Sequence, residues 1–133
     1  MSVPRPEGAQ GAAVDPTLED IRRLLAEDDG GPVVMLNLLR FAGAEGRASY
    51  QRYAAAVAGP LAKAGATVLY AGDCSTTLVA PAGHEWDALL VVRYPSRKAF
   101  LEMIKDPGYQ AITHLRTEGL EAAVLEATRP WAG

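Results

Sequence analysis

An α+β fold built on one four-stranded antiparallel sheet is what this sequence predicts, and three observations carry the prediction. Four short runs rich in Val, Leu and Tyr are separated by segments whose apolar residues recur at helical spacing. Their order, after one extra helix, is strand, helix, two strands joined by a turn, helix, strand, which is the split β-α-β or ferredoxin-like pattern. The strands are apolar at nearly every position, more than one layer of helices can cover. A second copy pressed face to face on the sheet is therefore expected, the alternative being that the first helix lies across that face.

The elements follow in order. Residues Met1–Val14 are interrupted by Pro4, Pro6, Gly8 and Gly11, hold little that could pack, and read as a disordered lead-in. A first helix is expected over 15–26, with Asp15 as N-cap, Pro16 in the first turn and Leu18, Ile21, Leu24 and Leu25 as its stripe; the turn through Pro32 ends this unit. Val33–Arg40 is the first strand, a near-continuous apolar run broken only by Asn37. Ala42–Gly46 reads as a loop and Ala48–Ala64 as an alanine-rich helix that presents Tyr50, Tyr53, Val57 and Leu61 on one face. Gly59-Pro60 predicts a kink or break, and Gly65 the C-terminal stop. Ala66–Asp73 is the second strand, bulged at Gly72 and extended through Thr76–Ala80; after a turn at Pro81-Ala82-Gly83, Trp86–Tyr94 is the third. Ser96 caps the next helix, with Phe100, Met103 and Ile104 inward; Asp106-Pro107 restarts it, and Gly119 ends it. Leu120–Thr128 is the last strand, leaving 129–133 as a tail.

The chain has 133 residues and a formal net charge of -3, so one domain is expected and a strongly basic nucleic-acid binder is excluded. No apolar stretch approaches the roughly 20 residues that span a bilayer, and nothing near the N-terminus reads as a signal peptide, so no membrane partner is expected. One cysteine excludes an internal disulfide framework and fits a cytoplasmic protein. Two histidines 30 residues apart, without HxxxH spacing, argue against a metal site. No phosphate-cradling glycine motif occurs, and no cofactor is expected.

Several pieces together carry a family likeness: Val33-Val34-Met35-Leu36-Asn37-Leu38-Leu39-Arg40-Phe41, Tyr70-Ala71-Gly72, Trp86-Asp87, Arg93-Tyr94-Pro95-Ser96-Arg97-Lys98-Ala99-Phe100, Met103-Ile104, Asp106-Pro107, Tyr109-Gln110 and His114-Leu115-Arg116. From 33 to 128 the sequence resembles the DUF1330 family of the dimeric α+β barrel superfamily. The resemblance implies the ferredoxin-like protomer and the face-to-face homodimer. It implies no single reaction, because the superfamily ranges from monooxygenases to isomerising enzymes and stress-response barrels.

The residues themselves offer a candidate site. Asn37 is an amide inside an apolar strand, which costs free energy unless it is satisfied, so it is expected either to polarise a ligand oxygen or to tie neighbouring backbones. Asp87 and His114 are the expected proton carriers, Asp87 also serving as an acceptor for Arg116. Arg116 lies two helical turns beyond Tyr109 and can grip a carboxylate or phenolate. Trp86, Tyr70, Tyr94 and Tyr109 offer aromatic walls. His84 and Cys74 read as structural, Arg40 and Arg93 as cleft rim or surface charges, and Arg97 and Lys98 as solvated. Three functions are compatible with this set: a cofactor-free enzyme acting on an aromatic or carboxylated metabolite, a small-molecule binding protein, and a dimeric scaffold whose polar residues pair only with protein.

Overall fold

The computed structural model describes residues 14–131. Its elements are α1 (Leu18–Ala26), β1 (Val33–Phe41), α2 (Gly43–Ala56), α3 (Ala58–Lys63), β2 (Thr67–Asp73), β3 (Ala88–Tyr94), α4 (Arg97–Lys105), α5 (Pro107–Gln110), α6 (Thr113–Gly119) and β4 (Leu120–Thr128). The sheet runs β2-β3-β1-β4 with every neighbouring pair antiparallel, which is the ferredoxin-like arrangement the element order predicts.

Strand alternation gives the two sheet faces different tasks. In β1, Val33, Met35 and Leu39 point toward the helices and are buried, joined there by Ala88, Val92 and Tyr94 of β3. The intervening residues Val34, Leu36 and Leu38, with Leu89 and Val91 beside them and Val124 on β4, form the opposite face, which no helix covers.

Local sequence accounts for most boundaries. Ser96 accepts from the Ala99 amide at 3.0 Å, and Asp106 accepts from Gly108 at 3.2 Å, with Pro107 in the first turn of α5. Gly65 adopts φ +74 after α3, a conformation that favours glycine. Gly59-Pro60 does not break the long helix at itself. The break falls at Val57, which leaves proline in the first turn of α3.

Other expectations are corrected. The first helix starts at Leu18, because Thr17 and Asp20 form a reciprocal capping box (3.1 and 2.8 Å) that satisfies two free amides where Asp15 alone satisfies one. Residues 1–13 of the expected lead-in lie outside the described residues, while Val14, its last member, is buried. The expected loop at Ala42–Gly46 is the first turn of α2. The bulge lies between Val68 and Tyr70, not at Gly72, where the missing side chain leaves room for the Tyr70 phenol. Thr76–Ala80 is not strand. The whole 74–87 connection is irregular, with Leu78 and Val79 almost fully exposed, and β3 begins at Ala88. Arg97 is buried rather than solvated, its Nη1 donating to the Leu24 carbonyl at 2.9 Å.

The contact that positions the residues between sheet and helices is a glycine crossing between α2 and α6. A Cβ on Gly119 would sit 2.7 Å from the Gly46 carbonyl oxygen and 3.0 Å from the Tyr50 amide nitrogen. The bare backbones let Ser49 Oγ reach the Leu115 carbonyl at 2.8 Å and the Ala42 amide reach Gly119 at 2.9 Å. Tyr53 on α2 is thereby set opposite the inner side of α5 and α6. Gly119→Ala is expected to cost about 2 kcal/mol, as overpacking against backbone atoms does. A chemical denaturation curve measures it, and an unchanged midpoint would mean that the crossing has slack.

Candidate functional site

Between the sheet and α2, α4, α5 and α6 lies a cavity of about 310 Å³. Phe100, Met103, Ile104 and Leu125 supply its apolar wall, and Asn37, Tyr53, Tyr94, Tyr109 and Arg116 its polar side. Each polar group arrives by a simple route. Asn37 sits at a helix-facing position of β1, opposite Leu90 and Leu125 in the register. Tyr94 ends β3 on the same face, its ring edge-on to Phe100 at 5.1 Å. Tyr53 is carried by the apolar stripe of α2, and its hydroxyl lies 3.0 Å from that of Tyr109.

Arg116 is the centre of the site. Its side chain is only 6% exposed. Nη1 donates to the Val14 carbonyl and to Asp15 Oδ1 at 3.2 Å, while Asp15 also accepts from Thr117 Oγ1 at 3.0 Å. Nη2 is buried and has no hydrogen-bond partner among the described residues. A buried guanidinium nitrogen without an acceptor is costly and rare, and here it lines a cavity. Asn37 is half-buried beside it, and its side-chain amide opens to the cavity without a hydrogen bond to a described residue.

The phenols are neutral. Burial is the first cause raising Tyr53 and Tyr94 well above the ordinary phenol value, with neighbouring Tyr109 adding to it and Arg116 opposing it. Burial likewise pushes Tyr50, behind Tyr53, up to about 12. Near pH 7 these groups donate protons in hydrogen bonds and do not accept them as bases. Asp15, at the rim and already on Arg116, is the only carboxylate among the described residues lining the cavity. The wall is therefore rich in donors and poor in free acceptors.

The structure gathers Asn37, Tyr94, Tyr109 and Arg116 from the sequence-predicted set into one place and leaves the others outside. Asp87 accepts from the Phe41 amide at 2.8 Å at the sheet end and does not pair with Arg116. Trp86 Nε1 donates to His84 Nδ1 at 3.1 Å beneath the Arg40 guanidinium, which also holds the Glu85 carbonyl, so this cluster is a separate surface feature. Tyr70 stands 56% exposed on edge strand β2. His114 is exposed on α6. The helix break at 111–112 separates it from Gln110, which donates to the Ile104 carbonyl. Tyr53 and Asp15 were not singled out from sequence. The signal for Tyr53 was a hydroxyl within an otherwise apolar stripe, which needs a partner once buried.

A groove of about 330 Å³ adjoins the cavity, between the 14–27 segment, α4 and β4. Val14 to Thr17 cross it, so this segment forms a strap over the helix side of the sheet. Helix α1 buries no residue. Its Ile21 and Leu24 pack half-buried against the core, and arginines hold its carbonyl end, Arg97 to Leu24 and Arg129 to Glu27 at 2.7 Å. Among the described residues no cluster of three or more metal-ligating side chains occurs, and no helix is long and apolar enough to cross a membrane.

Residues 43–127 match the family model described as "Domain of unknown function (DUF1330)". The structure of RPA0582 from Rhodopseudomonas palustris, a protein of unknown function, is similar at 30% identity and a TM-score of 0.83, over 92% of this chain and 99% of that one. A DABB-family protein with a ferredoxin-like fold from Mesorhizobium loti aligns at 12% identity and a TM-score of 0.57, over 77% of this chain and 99% of that one. A dimeric ferredoxin-like protein of unknown function from Thermobifida fusca aligns at 13% identity and a TM-score of 0.52, over 77% and 93%. The last two share the fold alone. None of the curated proteins matches the sequence.

An unpartnered amide in an apolar setting lowers stability, so a site that keeps one is trading stability for use. Asn37→Leu is expected to raise unfolding free energy by about 1 kcal/mol, read by denaturant melt. A loss of stability instead would mean that the amide serves the fold.

Proposed function

The chain belongs to the DUF1330 family, and within that frame we propose that each protomer binds a small organic acid in the cavity between sheet and helices, in a homodimer paired through the uncovered sheet faces. The observation that carries the first part is the buried, unpartnered Nη2 of Arg116 in a cavity whose other lining, apart from Asp15 at the rim, is neutral polar or apolar. An acceptor with negative charge meets both needs at once. A pure scaffold would pair Asn37 and Arg116 with protein atoms and have no cavity beside them. Proton transfer by Asp87 and His114 lacks support, since neither lines the cavity. Ligand binding is therefore the reading the geometry supports best. The single cysteine is compatible with a cytoplasmic setting.

The pairing rests on the uncovered face. Val34, Leu36, Leu38, Leu89, Val91 and Val124 share it, an apolar surface of a kind that marks an interface. The similar Thermobifida fusca protein is described as dimeric.

Two measurements test these parts separately. A carboxylate at a hundred times its Kd adds about 2.7 kcal/mol of stability, so a thermal-shift series of small aromatic acids should raise Tm markedly. Arg116→Lys, which keeps the charge but loses the second nitrogen, should abolish the shift while circular dichroism shows an intact fold. If no acid raises Tm in the wild type, the binding reading fails. For the pairing, sedimentation at micromolar concentration should give a dimer, and Val91→Glu a monomer. A folded wild-type monomer would rule out the paired sheets.

A further inference from the structure

The polar side of the cavity presents donors in two separate places, and this names the ligand more closely. We infer that the bound acid is an oxo acid with an apolar or aromatic body, its carboxylate on Arg116 and its oxo oxygen on the Asn37 amide and the neighbouring phenols. The inference rests on the organic-acid reading above and goes beyond it.

Arg116 Nη2 needs one acceptor. Asn37 enters from the sheet, on a different element, and its side-chain amide needs another. The Tyr53 and Tyr109 hydroxyls face each other at 3.0 Å; one proton serves that bond and the second is left to donate elsewhere. The Tyr94 hydroxyl makes no hydrogen bond to a described residue. A simple carboxylate gives one oxygen to the arginine and the other to one neighbouring donor, and leaves the remaining amide or phenol donors wanting. A neutral ketone satisfies the amide and leaves the charged nitrogen wanting. An oxo acid carries both acceptors on adjacent carbons and adds no donor to a wall already full of them. Phe100, Met103, Ile104 and Leu125 line the rest and suit a hydrocarbon body.

Asp15 sets the charge balance. It lies on Nη1 of the same guanidinium, half-exposed, so a bound carboxylate shares its cation with a fixed anion. Removing that anion strengthens the hold on any carboxylate and leaves a neutral ligand's affinity unchanged. Charge dependence thus reports which ligand group faces Arg116.

The test is calorimetric titration of the full chain with three matched probes. These are phenylpyruvate, hydrocinnamate (the same skeleton without the oxo group) and benzyl methyl ketone (the same skeleton without the carboxylate). Phenylpyruvate is expected to bind about tenfold more tightly than either, one additional buried hydrogen bond being worth roughly that factor. Asn37→Leu should erase the preference over hydrocinnamate, and Asp15→Asn should tighten both acids several-fold without affecting the ketone. Hydrocinnamate binding as tightly as phenylpyruvate overturns the oxo assignment and leaves the organic-acid reading standing. Ketone binding as tightly as phenylpyruvate, or tightening equally in Asp15→Asn, overturns the placement of the carboxylate on Arg116. Failure of both acids to bind overturns this inference and the reading beneath it.

Discussion

The guanidinium of Arg116 is a full charge taken almost entirely out of water, and much of the helix side of the protein is arranged around that fact. Desolvating such a group costs several kcal/mol unless acceptors replace the water it has lost. Half the replacement comes from Val14 and Asp15, about a hundred positions earlier in the chain. These bonds, with Ile21 and Leu24 packed half-buried on the core, fix the place of a helix that has no fully buried residue. The strap is held through its carbonyls and one carboxylate by arginines of the α/β core, and only Val14 at its start is buried. The other half of the guanidinium is left facing the cavity.

The sheet imposes a second constraint. With a period of two, β1 serves two surfaces in one run of residues: Val33, Met35 and Leu39 fill the core, while Val34, Leu36 and Leu38 face away from it. Asn37 falls on the core side. A register slip of one residue would bury the outer set and turn the amide out of the cavity, so the alternation that builds the core also aims Asn37 at Arg116's side of the protein. Close approach of α2 and α6 across Gly46 and Gly119 does the same for Tyr53. The cavity is thus a by-product of core register and helix spacing, assembled from the sheet and four helices, with the 14–16 strap as its rim.

The sequence was informative where a residue's chemistry conflicted with its setting. An amide inside an apolar strand pointed to the cavity and lines it; Tyr109 and Arg116 line it too, but from two separate short helices and not two turns apart on one helix. It was uninformative where chemistry was the only clue. Asp87, His114 and Trp86 have versatile side chains, but the irregular 74–87 connection and the break at 111–112 direct them elsewhere, and neither feature has a period to read. Asp15 was assigned to a cap by a local rule. The Thr17–Asp20 capping box outcompetes it, and the freed carboxylate goes to a long-range partner that no local pattern encodes. Strand order and helix caps were legible because each depends on neighbours a few residues away or on a regular repeat.

Because strap and cavity share one cation, their occupancies are linked. An anion placed on Nη2 lies close to Asp15 on Nη1, and the repulsion between two carboxylates is weakened only as far as Asp15 reaches solvent. Whatever that repulsion costs the ligand it also costs the strap, since a coupling free energy is reciprocal. A strongly bound acid therefore loosens the segment that forms the cavity's rim, while a tightly clamped strap lowers affinity for acids. Asp15 is held by Thr117 as well as by Arg116, so it has a partner to retain when the guanidinium turns to a ligand. That second hydrogen bond ties the rim to α6 independently of the guanidinium.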